Sequence, residues 1–175
     1  MRDYFLESER VAFSCWEQTD DDLVFLLWGD EAVTRYTSKT GKFTESEILA
    51  RLNLEIENEK KFRFQYWPIF EKESGEFIGC CGLRPCNAGA RVYELGFHLR
   101  SKFWGKGIAL EAARRVIQYA FDSLNADDIF AGHHPDNIGS KKVLVKLGFV
   151  YVGDEYYEPT GCYHCTYTLS RFFWR

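Results

Sequence analysis

The chain contains no run of eighteen apolar residues, so no transmembrane helix is expected. Its opening residues, "MRDYFLESERVAF", lack the continuous apolar stretch of a signal peptide, and export is not expected either. There is no excess of basic charge: 22 Lys and Arg stand against 26 Asp and Glu, a net charge of −4. That balance disfavours a general nucleic-acid-binding surface and permits a cationic substrate. No internal repeat, linker or low-complexity segment is visible. A metal-binding pattern is also lacking. "CYHC" (Cys162–Cys165) has thiols and an imidazole, but no second cysteine pair with finger spacing accompanies it. On a strand, Cys162 and His164 would share one face while Cys165 takes the other. No metal site is therefore expected. Without an export signal, the six cysteines read as reduced thiols of a cytoplasmic protein.

What is present suits one domain over residues 1–175 with a sizeable core: 46% hydrophobic and 27% charged residues. Aromatic residues reach 17%, which favours a large core or an aromatic-lined cleft. "RVAFSCW" (Arg10–Trp16) reads as a first strand. "TDDDLVFLLWGD" reads as a helix capped by Thr19 or Asp20, and Asp30–Tyr36 as a further short helix. "FTESEILARLNLEIENEKKF" opens with the capping box Thr44/Glu47, and Ile48, Leu52 and Ile56 recur at helical spacing. Phe64–Glu71 and Gly75–Pro85 read as strands joined by the turn "KESG", and Arg91–Leu99 as a third strand of the same meander. Adjacent Cys80 and Cys81 would then point to opposite faces.

A helix beginning near Gly107 buries Ala109, Ala112, Ala113, Val116, Ile117, Ala120 and Leu124 and turns Glu111, Arg114, Arg115, Gln118 and Asp122 to solvent. A short buried strand (Asp127–Gly132), a helix capped by Asn137 and ending at Gly148, and a closing hairpin complete the chain. The order predicts a mixed α/β fold. Its sheet is largely antiparallel, of about seven strands, with a βαβ crossover over residues 91–132.

The stretch "KFWGKGIA" (Lys102–Ala109) puts two glycines at the mouth of an amphipathic helix, although glycine costs roughly 1 kcal/mol against alanine inside one. The first N–H groups of a helix lack intrahelical partners, its dipole makes that end positive, and glycines let a ligand approach the backbone. These are the physical requirements of a phosphate site. A plain strand-to-helix turn satisfies the same pattern. A Walker loop is excluded, because Gly107 stands where the hydroxyl should follow Lys106. A dinucleotide fingerprint is excluded, because Leu110 takes the place of its third glycine.

"KFWGKGIA" resembles the pyrophosphate loop of GNAT-type N-acetyltransferases, Gln/Arg-x-x-Gly-x-Gly/Ala. The likeness extends to "YELGFHL", to "FWGKGIALEA" and to "HPDNIGSKKVLVKLGF". "DEAVTRYT" and "FTESEILARL" resemble the early helices of the branch that includes ribosomal-protein N-terminal acetyltransferases. Lys102 departs from the pattern: it keeps a positive charge where Gln or Arg is usual, but lacks the planar guanidinium fork.

The resemblance implies a GNAT-like fold in which acetyl-CoA enters where the fourth and fifth strands splay. It implies that the backbone of Phe97, His98 and Leu99 pairs with the pantetheine amides. The N–H groups from Phe103 or Trp104 through Gly105, Lys106, Gly107, Ile108 and Ala109 would cradle the pyrophosphate, with Lys102 and Lys106 adding charge. Asn137 would bond the pantetheine arm, Ser140 would face the sulfur, and Lys141 would reach a phosphate or the adenosine. Glu94 is the implied general base and Ser140 the donor to the leaving thiolate, with a backbone N–H near Leu99 for the carbonyl oxygen.

Tyr151, Tyr156 and Tyr157 are further cleft candidates, as are His133 and His134. Direct transfer is expected, with a relay through Cys80, Cys81 or Cys86 as the alternative. The implied function is transfer of acetyl to a primary amine, most readily a protein or peptide N-terminus. The rivals are a polyamine or antibiotic acetyltransferase and a non-catalytic acyl-CoA sensor of the same fold. Neither a nucleic-acid nor a membrane partner is implied; a homodimer is left open.

Overall fold

A computed structural model describes residues 2–87 and 90–174. The elements run β1 (Leu6–Glu7), β2 (Val11–Phe13), α1 (Asp21–Trp28), α2 (Glu31–Thr34), α3 (Glu45–Phe62), β3 (Tyr66–Glu71), β4 (Phe77–Asn87) and β5 (Val92–Leu99). A short 3-10 turn (Ser101–Phe103) leads into α4 (Ile108–Asp122), followed by β6 (Asp128–His133), α5 (Ile138–Lys146), β7 (Val150–Tyr157) and β8 (Cys162–Ser170). One sheet holds the strands in the order β1-β2-β3-β4-β5-β6-β8-β7, and β5–β6 is its parallel pair.

The sheet has eight strands where about seven were expected. The addition is β1, too short to show a period, which exists because the chain folds back on itself: Leu6 lies opposite Phe13 and Ser8 N–H donates to Val11 O at 2.8 Å. The expected strand Arg10–Trp16 shortens to Val11–Phe13 for a covalent reason. Ser14 N–H donates to Pro68 O at 3.0 Å, but Pro68 has no N–H to return, and the ladder stops. The helix expected over Asp30–Tyr36 contracts to Glu31–Thr34, with the Asp30 carboxylate accepting from Ala32 N–H.

Both faces of the sheet are covered. On one face α4 packs Ala112, Ala113, Val116, Ile117 and Phe121 against Cys81, Leu83, Leu95 and Ile129. On the other, α1 and α3 pack Val24, Leu27, Trp28, Ile48 and Leu52 against Tyr66, Phe70, Phe77 and Cys80. Cys80 and Cys81 thus enter opposite cores, as strand alternation requires. Each fully buried Val, Leu or Ile here contributes roughly 1.5–3 kcal/mol.

Two expectations about α4 are corrected. Ala109 and Leu124 are only partly buried, and Phe121 is buried with the others. Glu111 does not simply face solvent. It accepts from Ser8 Oγ (2.7 Å), Arg10 N (2.7 Å) and Arg10 Nε (2.6 Å), and so ties the N-terminal hairpin to the helix.

Caps follow the sequence except at α1. Thr44 and Glu47 form a reciprocal capping box, and Asn137 Oδ1 accepts from Ser140 N–H at 3.1 Å. Asp20 stands at the N-cap of α1, but its carboxylate is drawn instead to Arg2 and to Glu17 N–H.

The feature that positions the site is the short β5–β6 ladder. It pairs Val92 with Asp128, Tyr93 with Ile129 and Glu94 with Phe130, and goes no further. Beyond Glu94, β5 has partners only on β4, and beyond Phe130, β6 has partners only on β8. The two parallel strands part into a V with Glu94 at its apex.

Candidate active site

A cleft of about 800 Å³ occupies this V. Leu95–Leu99 of β5 form one wall, and Phe130–His133 of β6, His134 and the head of α5 form the other. The head of α4 closes one end, and Tyr66, Arg84, Glu94, Tyr156 and Tyr157 line the rest.

At the α4 end the backbone itself is the reactive surface. Gly105 and Gly107 lie in the left-handed region (φ 74° and 78°), and a Cβ at Gly105 would meet no protein atom within 4 Å. Among the described residues, the N–H groups from Gly105 through Leu110 have no acceptor. A row of free donors at the positive end of a fifteen-residue helix fits an anion of phosphate size. Arg10 braces this loop from outside, its Nη1 donating to Lys106 O at 3.1 Å.

The cradle is narrower than the sequence implied. The N–H groups of Phe103 and Trp104 are consumed in the 3-10 turn, donating to Arg100 O and Ser101 O. The lysines also differ. Lys102 pairs with Glu76, and neither it nor Lys106 lines the cleft. Lys141 is not among the lining residues, although its charge acts on His133 of the cleft wall; Lys142 and Lys146 of the same helix line the cleft. Trp104 Nε1 donates to Leu99 O at 2.7 Å, so that carbonyl already has a partner, while Phe97 and His98 line the open stretch of β5. Asn137 and Ser140 face the cleft from α5, and Ser140 Oγ makes no hydrogen bond among the described residues.

At the apex, Glu94 Oε1 accepts from Tyr66 Oη at 3.4 Å. Burial raises the Glu94 pKa above the ordinary glutamate value, and the nearby Arg84 guanidinium and the Tyr66 hydroxyl oppose that rise. Tyr66 is fixed from three sides. Its ring packs under the Arg84 guanidinium at 4.2 Å, its N–H donates to Glu55 Oε2 at 2.8 Å, and its ring fills the space above Gly96. Glu55, fully buried, also binds Arg84. His98 accepts from Trp28 Nε1 at 3.1 Å; burial and the Arg51 and Arg84 charges push its pKa down to about 3, so it is neutral.

The model of the acetyltransferase (GNAT) domain matches residues 10–150. The chain belongs to the GNAT acetyltransferase family. It is 35% identical over 146 residues to the uncharacterized N-acetyltransferase p20 of Bacillus licheniformis, covering 82% of this chain and 81% of that one. Its fold matches the ribosomal-protein-S5-alanine acetyltransferase of Vibrio fischeri with a TM-score of 0.78 at 23% identity, covering 99% of each chain. It matches Mycobacterium smegmatis RimJ, solved in complex with CoA-disulfide, with a TM-score of 0.78 at 19% identity, covering 93% of this chain and 82% of that one.

In this GNAT acetyltransferase, sequence reasoning missed Arg51, Tyr66, Arg84 and His164, all of which line the cleft. They come from α3, β3, β4 and β8, and no local motif joins them. Of the tyrosines named from sequence, Tyr156 and Tyr157 line the cleft, whereas Tyr151 donates to Asp154 Oδ1 at 2.9 Å outside it. His133 and His134 both line it. No cysteine does. Cys80 is fully buried with its thiol pushed up to about 12, and burial also raises the Cys81 thiol well above its ordinary value.

Proposed function

We propose that this acetyltransferase moves acetyl from acetyl-CoA directly to a primary amine, the amine being a protein or peptide N-terminus. The observation that carries the transfer is the pairing, in one cleft, of free N–H donors from Gly105 to Leu110 with a partly buried carboxylate at Glu94. When bound, acetyl-CoA supplies the activated acyl group. Gly105–Leu110 hold its pyrophosphate, and the backbone of Phe97 and His98, with Asn137, aligns the pantetheine arm. Glu94 accepts the ammonium proton, directly or through water. A carboxylate raised toward neutrality is a better match for that task than an ordinary one. The amine nitrogen then bonds the carbonyl carbon as the carbon–sulfur bond breaks. Ser140 Oγ donates to the departing sulfur, and a backbone N–H of β5 near Leu99 polarises the carbonyl oxygen. The buried, protonated cysteines favour this direct route over an acyl-cysteine relay. The N-terminal acceptor is supported by the fold shared with the S5-alanine acetyltransferase and RimJ.

Thiol release with a panel of amines tests the reading, run beside acetyl-CoA binding by calorimetry. Release with peptides, and its loss in Glu94→Gln and Ser140→Ala, is the expected result. Binding without release from any amine leaves the sensor reading in its place. Efficient release with spermidine or an aminoglycoside, and with no peptide, overturns the acceptor assignment.

A further inference from the structure

Arg51 and Arg84 both line the cleft, and Arg84 lies opposite Glu94 on the neighbouring strand. Arg84 has its counterion, because Glu55 Oε1 binds it and Glu55 Oε2 takes Tyr66 N–H. Arg51 has none. It sits four residues before Glu55 on α3, the spacing at which a helical ion pair forms, yet both Glu55 oxygens are turned to β3 and β4. Among the described residues, Arg51 makes no ion pair and no hydrogen bond; its guanidinium lies 4.3 Å from the Phe43 ring centroid and 5.4 Å from that of Trp28. The other groups that act on it do not neutralise it: Tyr157 is a phenol, and Cys80 is a thiol that burial pushes up to about 12.

A partly buried guanidinium beside a second arginine is costly unless an anion completes it. Aromatic faces attract a cation but supply no oxygen, so the planar fork keeps its donors open to the cleft. That fork is shaped for a carboxylate or phosphate. The anionic groups of acetyl-CoA belong, in the reading above, to the Gly105–Leu110 cradle at the other end of the cleft. The anion at Arg51 must therefore come with the amine.

The geometry points to an acceptor that carries a carboxylate or phosphate close to its reactive amine, with Arg51 holding that group while Glu94 faces the amine. This rests on the acetyl-transfer reading and narrows its substrate class. Polyamines and aminoglycosides, which bring only positive charge, are disfavoured.

Matched acceptor pairs test it. Wild-type enzyme at saturating acetyl-CoA is given two peptides that differ only by Glu or Gln at the second position, glycine beside glycinamide, and spermidine. The carboxylate member of at least one pair should have a kcat/KM about tenfold or more higher, the scale of a charge-assisted hydrogen bond. Preference in the peptide pair identifies a peptide source, and preference in the glycine pair a free amino acid. Arg51→Gln should bring the ratio close to one through KM, and Arg51→Lys should restore part of it. Turnover that is equal within both pairs, or fastest with spermidine, overturns the inference while acetyl transfer stands. Release from no amine at all overturns both. Should Arg51→Gln fail to fold, the wild-type pairs decide alone.

Discussion

The ring of Tyr66 stands where residue 96 has no side chain. A Cβ built on Gly96 would lie 2.2 Å from Tyr66 Cζ and 2.3 Å from its hydroxyl oxygen. The missing methyl lets the phenol reach Glu94 along the face of β5. Gly96→Ala is therefore an overpacking substitution in a buried site, expected to cost about 1–3 kcal/mol. It should also move the hydroxyl away from Glu94. Urea denaturation reads the first effect; a shifted acid limb in the pH–rate profile reads the second.

Glu94 must be ionised to accept a proton, and burial holds its pKa above the ordinary glutamate value. In the proposed mechanism kcat/KM falls on the acid side with an apparent pKa above that of a free glutamate. Glu94→Gln should lower kcat by about a hundredfold or more and abolish that limb. A profile unchanged by the substitution would remove Glu94 from the chemistry.

Gly105 and Gly75 form a matched experiment. Both have positive φ, 74° and 70°, and a Cβ at either meets nothing within 4 Å. Alanine at each should cost similar backbone strain, about 1–2 kcal/mol. Gly105→Val places methyls over the proposed pyrophosphate cradle, whereas Gly75→Val only strains the β3–β4 turn. Acetyl-CoA affinity, measured by calorimetry on the folded variants, should fall about tenfold or more for the first and stay unchanged for the second.

His98 links stability to pH. Its folded pKa is pushed down to about 3, against 6.5 for an unperturbed histidine. Between those values the unfolded chain binds a proton that the folded chain refuses, so stability rises with pH across the window. The contribution is full above about 6.5 and is lost as pH falls toward 3. His98→Gln, which keeps an acceptor for Trp28 Nε1, should flatten the decline in stability between pH 6.5 and 4.5. Denaturation midpoints at the two pH values check it.

The architecture was legible because its signals are local. The capping box at Thr44, the hairpin turn at Gly75 and the glycines before α4 each act within a few residues. The run of free donors before α4 was legible for the same reason, since it consists of consecutive backbone N–H groups. The lining at the other end was not. Arg51, Tyr66 and Arg84 meet only after α3 packs on the far face of the sheet, and a helical arginine looks like any solvated charge until its would-be partner is taken by another strand. Spacing alone also does not settle which side of α5 faces the V, so Lys142 and Lys146 could not be named as cleft residues from the sequence.

The parting of β5 and β6 also bears on how this protein is best handled. Two strands that withhold hydrogen bonds from each other leave a structural joint, and an extended molecule seated there would serve as an additional strand. In the proposed reading acetyl-CoA is then partly a scaffold. At a hundred times its dissociation constant it would add about 2.7 kcal/mol to the folded state by mass action. Purification, storage or crystallisation with the cosubstrate should yield a measurably higher melting temperature, and a variant judged fragile without it can be adequate at working concentrations.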